Sequence, residues 1–349
     1  MQPNWTSRTV TANHQRIHLV EAGTGPLVLL CHGFPESWYS WRHQLDALAD
    51  AGYRAVAMDM RGYGRSSKPR AAEDYIITEI VADCVGVVEA LGESPAVIVG
   101  HDWGAILAWT AAWTRPDVFR AVACLSVPFS GRGQMALPTD PLGARRPSEV
   151  DRELAGDLVF YQEHFNSGGG LIESEQDIAS FIAGTLYAFS GSVPLPPELA
   201  DLDFLALPHE ALPGFVAQAM CVSPGAGLRE KMPPLPDPLP PWLTAEDLDF
   251  YVGEFERTSL FGGLSYYYCV DRNWELLAEH EGKQVTVPSL FIGGDRDVAT
   301  IWGKRAIELH AQTQADFRGN VVLRDCGHWI QQEQPAGTNA ALIDFLKNL

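Results

Sequence analysis

The chain is poor in positive charge: 25 Lys and Arg stand against 44 Asp and Glu, a formal net charge of -19. Such a surface repels phosphate backbones and anionic headgroups, which argues against nucleic acid, membrane or another acidic polymer as a partner. Long apolar runs are lacking too. Segments such as Leu27 to Cys31 fall far short of the roughly 20 residues that cross a bilayer, and no cationic N-terminal stretch leads into an apolar one. A cytoplasmic location is therefore expected. Six cysteines, at 31, 84, 124, 221, 269 and 326, are scattered singly with no C-x-x-C pair and no His at metal-ligand spacing. Buried free thiols are expected, with no metal and no cofactor. No internal repeat is present.

What is present is apolar material for one large core or a core with an inserted cap, 46% of 349 residues. Short apolar runs at Leu27 to Cys31, Arg54 to Met58, Ala96 to Val99, Ala121 to Leu125, Ser289 to Ile292 and Val321 to Leu323 alternate with helix-like segments. One of these, Thr78 to Leu91, has helical spacing and stops at Gly92. Runs of this kind read as parallel strands buried on both faces of a doubly wound α/β sheet. The rhythm breaks after Pro128. Helix-like stretches follow around Asp151 to Phe165 and Asp177 to Ser190, and Pro224 to Pro241 holds seven prolines, which suit a stiff surface connection. The expected map is a core from residues 1–128 and 271–349, with a mainly helical cap from 129–270 between them.

Gly100-His101-Asp102-Trp103-Gly104 sits between the run Ala96 to Val99 and a helix-like run through Ala105 to Trp113. A strand–turn–helix of this kind is a nucleophile elbow, whose tight turn needs small residues two before and two after the nucleophile. Asp102 stands where a serine is usual. With a reference pKa of ~3.9 it attacks as a carboxylate and needs no base, which leaves a base free to act on water. Taken alone, an Asp here reads better as a cap for the following helix. Other motifs tip the balance. His32-Gly33-Phe34-Pro35 follows the run Leu27 to Cys31, so the backbone N–H groups of Phe34 and Trp103 are candidates for an oxyanion hole, with His32 shaping the turn. A cis peptide before Pro35 would suit it. Gly293-Gly294-Asp295-Arg296-Asp297 and Gly327-His328-Trp329 follow late runs and place an acid and a base after the nucleophile in the chain. His328 is the base expected to activate water. Spacing leaves Asp297 and Asp295 both open as its orienting carboxylate.

These segments, together with Asp59-Met60-Arg61-Gly62-Tyr63-Gly64-Arg65-Ser66, Tyr161-Gln162-Glu163-His164-Phe165 and Gly263-Leu264-Ser265-Tyr266-Tyr267, resemble the epoxide hydrolases of the α/β-hydrolase fold, above all the actinobacterial B group. The resemblance covers nearly the whole chain. It implies that two cap tyrosines hydrogen-bond the epoxide oxygen, matching Tyr161 and Tyr267, with Tyr266 well behind Tyr267 in register. It favours Asp297 over Asp295. Ring opening makes an alkoxide, and a phenol with a pKa of ~10 remains protonated to meet it. Trp38, Trp329 and Pro35 are expected to line the pocket, and Arg61 to order its loop. The implied reaction converts a small uncharged epoxide and water to a vicinal diol through an ester on Asp102. A homodimer is left open. Rival readings are a dehalogenase, which shares the Asp-Trp elbow but often carries Asn where Phe34 stands, a serine esterase, which the elbow argues against, and a binding module without turnover.

Overall fold

A computed structural model describes residues 5–199 and 202–349. Its centre is an eight-stranded sheet formed by β1 (Thr6–Ala12), β2 (Gln15–Ala22), β3 (Leu27–Cys31), β4 (Arg54–Met58), β5 (Ala96–His101), β6 (Phe119–Leu125), β9 (Val285–Gly294) and β10 (Gln314–Leu323), while β7 (Val159–Phe160) and β8 (Cys221–Val222) form a separate short ladder. The order is β1-β2-β4-β3-β5-β6-β9-β10, with only β1 and β2 antiparallel to their neighbours. In the centre, Leu29 pairs with Val56 on one side and Ile98 on the other.

Every residue of β3 and β5 is buried. Side chains alternate across the sheet, so each strand feeds two apolar layers. Leu29, Val56, Ile98 and Val122 go to one layer, beneath the helices Ile77–Ala90 and Trp103–Thr114. Val28, Ala57, Val99 and Ala123 go to the other, covered by Arg42–Asp50 and Pro335–Lys347. This burial on both faces explains the continuous apolar runs. The six cysteines are free and buried.

The N-terminal hairpin β1–β2 was not anticipated. β1 is half exposed and mostly polar, with apolar residues only at Val10 and Ala12, so it lacks the buried-strand signature. The expected strand at Val321 to Leu323 is only the end of β10, whose alternating exposure hides the rest. Between β6 and β9 the chain is mainly helical, including Pro147–Ala155, Tyr161–Asn166, Ile178–Ala188, Ala245–Thr258 and Phe261–Tyr268. Phe165, Phe181 and Tyr251 from this stretch share one apolar cluster with Ile98 of the sheet. The proline-rich stretch contains one short 3-10 helix, Leu228–Lys231, and is more than a surface connection, because Met232 and Pro233 form part of a cavity wall. No helix among the described residues is long and apolar enough to cross a membrane.

Candidate active site

The functional groups collect at the carboxyl ends of the parallel strands, where helix and loop starts leave room for a ligand. Asp102 follows β5 with φ 53° and ψ -119°, a backbone region that a β-carbon disfavours. Its neighbours make the turn feasible: a Cβ on Gly100 would collide with the Gly104 carbonyl, and one on Gly104 with the Cys31 carbonyl. The Asp102 side chain makes no capping hydrogen bond to the helix that follows, so the cap reading falls. Instead Oδ1 accepts from the Phe34 N–H at 2.8 Å, and Oδ2 lies 3.5 Å from His328 Nε2. The Trp103 N–H stands in the first turn of its helix, where no intrahelical acceptor exists. Gly33 must lack a side chain, since a Cβ there would strike Asp102.

His328 lies in the loop after β10. Its Nδ1 is 3.0 Å from Asp297 Oδ1 and 2.9 Å from Ser126 Oγ. The fully buried Asp297 also accepts from the N–H groups of Ala299 and Thr300 and from Thr300 Oγ1 at 2.7 Å. Asp295 faces elsewhere, accepting from the Cys326 N–H at 3.2 Å. Geometry thus separates two acids that spacing could not. Burial opposes a charge on the His328 ring, but the Asp297 charge, the hydrogen bonds to both carboxylates and the Asp102 charge push its pKa up to about 10. Burial would raise both carboxyls, and in each His328 outweighs it and holds them below their ordinary range, helped by Phe34 N–H at Asp102 and by Ser126 and Thr300 at Asp297. These opposing directions favour an imidazolium between two carboxylates at rest.

A second buried assembly holds this one in place, and sequence reasoning missed its role. Glu36 Oε2 accepts from the Gly33 N–H at 2.9 Å and sits 2.8 Å from His101 Nδ1, while His101 Nε2 is 2.7 Å from the His328 carbonyl. Glu36 Oε1 takes the amides of Gln331 and Gln332, both at 3.0 Å. The loops carrying Phe34, Asp102 and His328 are thereby tied to one carboxylate. The signal was present in part, since His101 belongs to the quoted elbow and Glu36 directly follows the His32 to Pro35 motif. Ser126 carried none. His32 is structural, its Nε2 accepting from Met60 N–H at 3.1 Å, and Arg61 orders its loop by a two-pronged bond to Asp83 at 2.8 and 2.6 Å. The Phe34–Pro35 peptide is cis.

Asp102 and His328 face a cavity of about 430 Å³ walled chiefly by apolar side chains, among them Phe165, Phe181, Phe189, Phe215 and Trp302. Tyr161 and Tyr267 line it from the helices Tyr161–Asn166 and Phe261–Tyr268, their rings edge to face with centroids 5.7 Å apart. Tyr266 does not. Its hydroxyl donates to the Arg61 carbonyl at 2.8 Å, and Tyr268 is 53% exposed. Burial pushes the phenols of Tyr161 and Tyr267 well above their ordinary range, and the Asp102 charge adds to it. Trp329 lines the cavity, whereas Trp38 and Pro35 do not. Trp38 packs edge-on against Trp5 and Phe250, and Pro35 is buried in its turn, so both pocket expectations are corrected. Their places next to the Phe34 motif in sequence do not carry over to the wall, because the chain turns away after Phe34. Among the described residues no cluster of three or more His, Cys, Asp or Glu could hold a metal ion.

A carboxylate elbow, an acid–histidine pair and a mostly parallel sheet define a hydrolase of the α/β-hydrolase fold, and residues 26–158 match the model of that family. Epoxide hydrolase B of Mycobacterium tuberculosis is 47% identical over 350 residues, covering 98% of both chains. A solved epoxide hydrolase from an endophytic Streptomyces superposes with a TM-score of 0.88 at 46% identity, covering 99% of this chain and 96% of that one. The structure of epoxide hydrolase A from Mycobacterium thermoresistibile gives 0.85 at 40% identity, covering 99% of each. The chain belongs to the epoxide hydrolases of the α/β-hydrolase fold.

Proposed function

We propose that this enzyme opens an uncharged epoxide through a covalent ester on Asp102, and that residues 129–270 serve as the cap that carries the two ring-opening tyrosines. Oδ1 of Asp102 is engaged by the Phe34 N–H, which leaves Oδ2 as the attacking oxygen. Oδ2 bonds to one oxirane carbon and the ring C–O bond breaks. Tyr161 and Tyr267 donate to the departing oxygen, which takes a proton. Esterification removes the Asp102 charge that helps keep His328 protonated. The imidazolium then gives up one proton, which by way of solvent restores the phenol that protonated the ring oxygen, and becomes a base.

Water, deprotonated by His328, attacks the carbonyl carbon of the ester. Oδ1 becomes the oxyanion, held by the N–H groups of Phe34 and Trp103. Collapse breaks the bond to the alkyl oxygen, which receives the His328 proton and leaves as the second hydroxyl of a vicinal diol. Asp297 keeps the ring oriented and supports its charge. The apolar wall favours a bulky, uncharged substrate, and six buried free thiols suit a reducing cytoplasm.

The observation that carries the reading is the convergence of Asp102, His328, Tyr161 and Tyr267 on one cavity. A single turnover of excess enzyme in ¹⁸O water tests it. The label should enter the Asp102 carboxylate and be absent from the diol. Label in the diol at that first turnover would mean direct attack by water and would overturn the covalent route.

A further inference from the structure

Next to Tyr161, Gln162 is 1% exposed and its Nε2 donates to the Tyr161 hydroxyl oxygen at 3.3 Å. Its Oε1 is buried without a partner. So is Oδ1 of Asp151, a residue 5% exposed on the helix Pro147–Ala155. Both side chains line the same recess, of about 10 Å³, along with Leu137, Pro147 and Val150. That is about the space taken by one water molecule's centre. Two residues of the recess thus each carry a buried acceptor without a donor, and a water has two protons to give.

We infer that the recess is a one-water site, in which the water donates to Asp151 Oδ1 and Gln162 Oε1 and so holds the Gln162 amide nitrogen on Tyr161. The orientation matters for chemistry. A flipped amide would accept the phenol proton and withhold it from the substrate. Held as it is, the amide donates to the phenol oxygen, leaves the O–H for the opening ring and opposes the rise that burial imposes on the Tyr161 pKa. Asp151 and Gln162 are positioning residues for Tyr161, and the inference rests on Tyr161 being a ring-opening donor.

The environment of Asp151 suits a carboxyl that is neutral near pH 7, with the proton on Oδ2 and Oδ1 left as the acceptor. Burial first, then Asp271 and Glu163, push its pKa up to about 8 against the pull of Arg152. Asp140 and Arg145 are the other charged residues at the recess.

Rapid-quench mass spectrometry with styrene oxide separates the two half-reactions. Asp151→Leu should slow ester formation about tenfold, the rate equivalent of one hydrogen bond, and leave ester hydrolysis unchanged. Asp151→Asn, which keeps an acceptor oxygen, should restore the wild-type rate. In a Tyr161→Phe background Asp151→Leu should add nothing. Unchanged ester formation in Asp151→Leu, an equal loss in both half-reactions, or a further loss on top of Tyr161→Phe would each overturn the inference. Gln162→Leu carries the same readouts should Asp151→Leu not fold. If Tyr161→Phe alone leaves ester formation unchanged, the reading of Tyr161 fails. If it slows ester formation while Asp151→Leu does not, only the role of Asp151 fails.

Discussion

The charge on His328 should depend on the charge on Asp102, and on the proposed route this coupling turns an imidazolium into a base once the ester has formed. The ring's pKa stands at about 10 against an ordinary 6.5. The gap, 10 - 6.5 or about 3.5 on the pH scale, corresponds to roughly 5 kcal/mol in favour of the charged ring. It is a net quantity, because burial pulls the other way. Of the upward contributions the Asp297 charge is the largest and the Asp102 charge the smallest, with the hydrogen bonds to the two carboxylates between them. Asp102→Asn keeps an acceptor beside Nε2 and removes only the charge, as the ester does. The His328 pKa should then fall below its wild-type value. Titration of the ring nitrogens by ¹⁵N NMR in the wild type and in Asp102→Asn measures both values. A His328 that titrates near 6.5 in the wild type, or one whose pKa does not fall in the variant, would refute the coupling.

Replacing either Tyr161 or Tyr267 by Phe should slow ester formation by about 10²- to 10³-fold while hydrolysis of the ester continues, a split that rapid quench resolves. Tyr266→Phe should leave ester formation near wild type, because its hydroxyl is committed to the Arg61 carbonyl. Asp297→Asn should lower the hydrolysis step by about 10³- to 10⁴-fold and let the ester accumulate, visible as the mass of enzyme plus substrate, whereas Asp295→Asn should not. For stability, the sign follows from Asp151, whose folded pKa of about 8 lies above its ordinary 3.8. The unfolded chain ionises this carboxyl first as pH rises, so the native state loses stability from pH 4 up to about 8. Asp151→Asn should therefore raise Tm by a margin that grows between about pH 4 and 8, and a margin independent of pH would show that the carboxyl is not held neutral.

Much of the sheet was legible because strands covered on both faces must be apolar throughout. β3 and β4 coincide with their expected bounds for that reason, and the helix Ile77–Ala90 ends where Gly92 takes φ 71°. β1 escaped notice because an edge strand facing water carries no such run. Within the site, Asp102 was legible from its flanking glycines, whose need for closeness is local. The choice between neighbours was not. Tyr266 and Tyr267 are adjacent on one helix, so they point about 100° apart, one toward Arg61 and the other into the cavity.

By itself, then, the sequence determined the sheet's buried strands and the strained turn at Asp102, since each rests on residues close together in the chain. Tertiary structure alone decided that Asp297 and not Asp295 meets His328, that Trp38 and Pro35 leave the pocket to Trp329, and that Ser126, Glu36 and His101 brace the site. The reason is physical: these contacts join the ends of different strands, and which side chain of a loop reaches across depends on how that loop is folded back, which spacing along the chain does not encode.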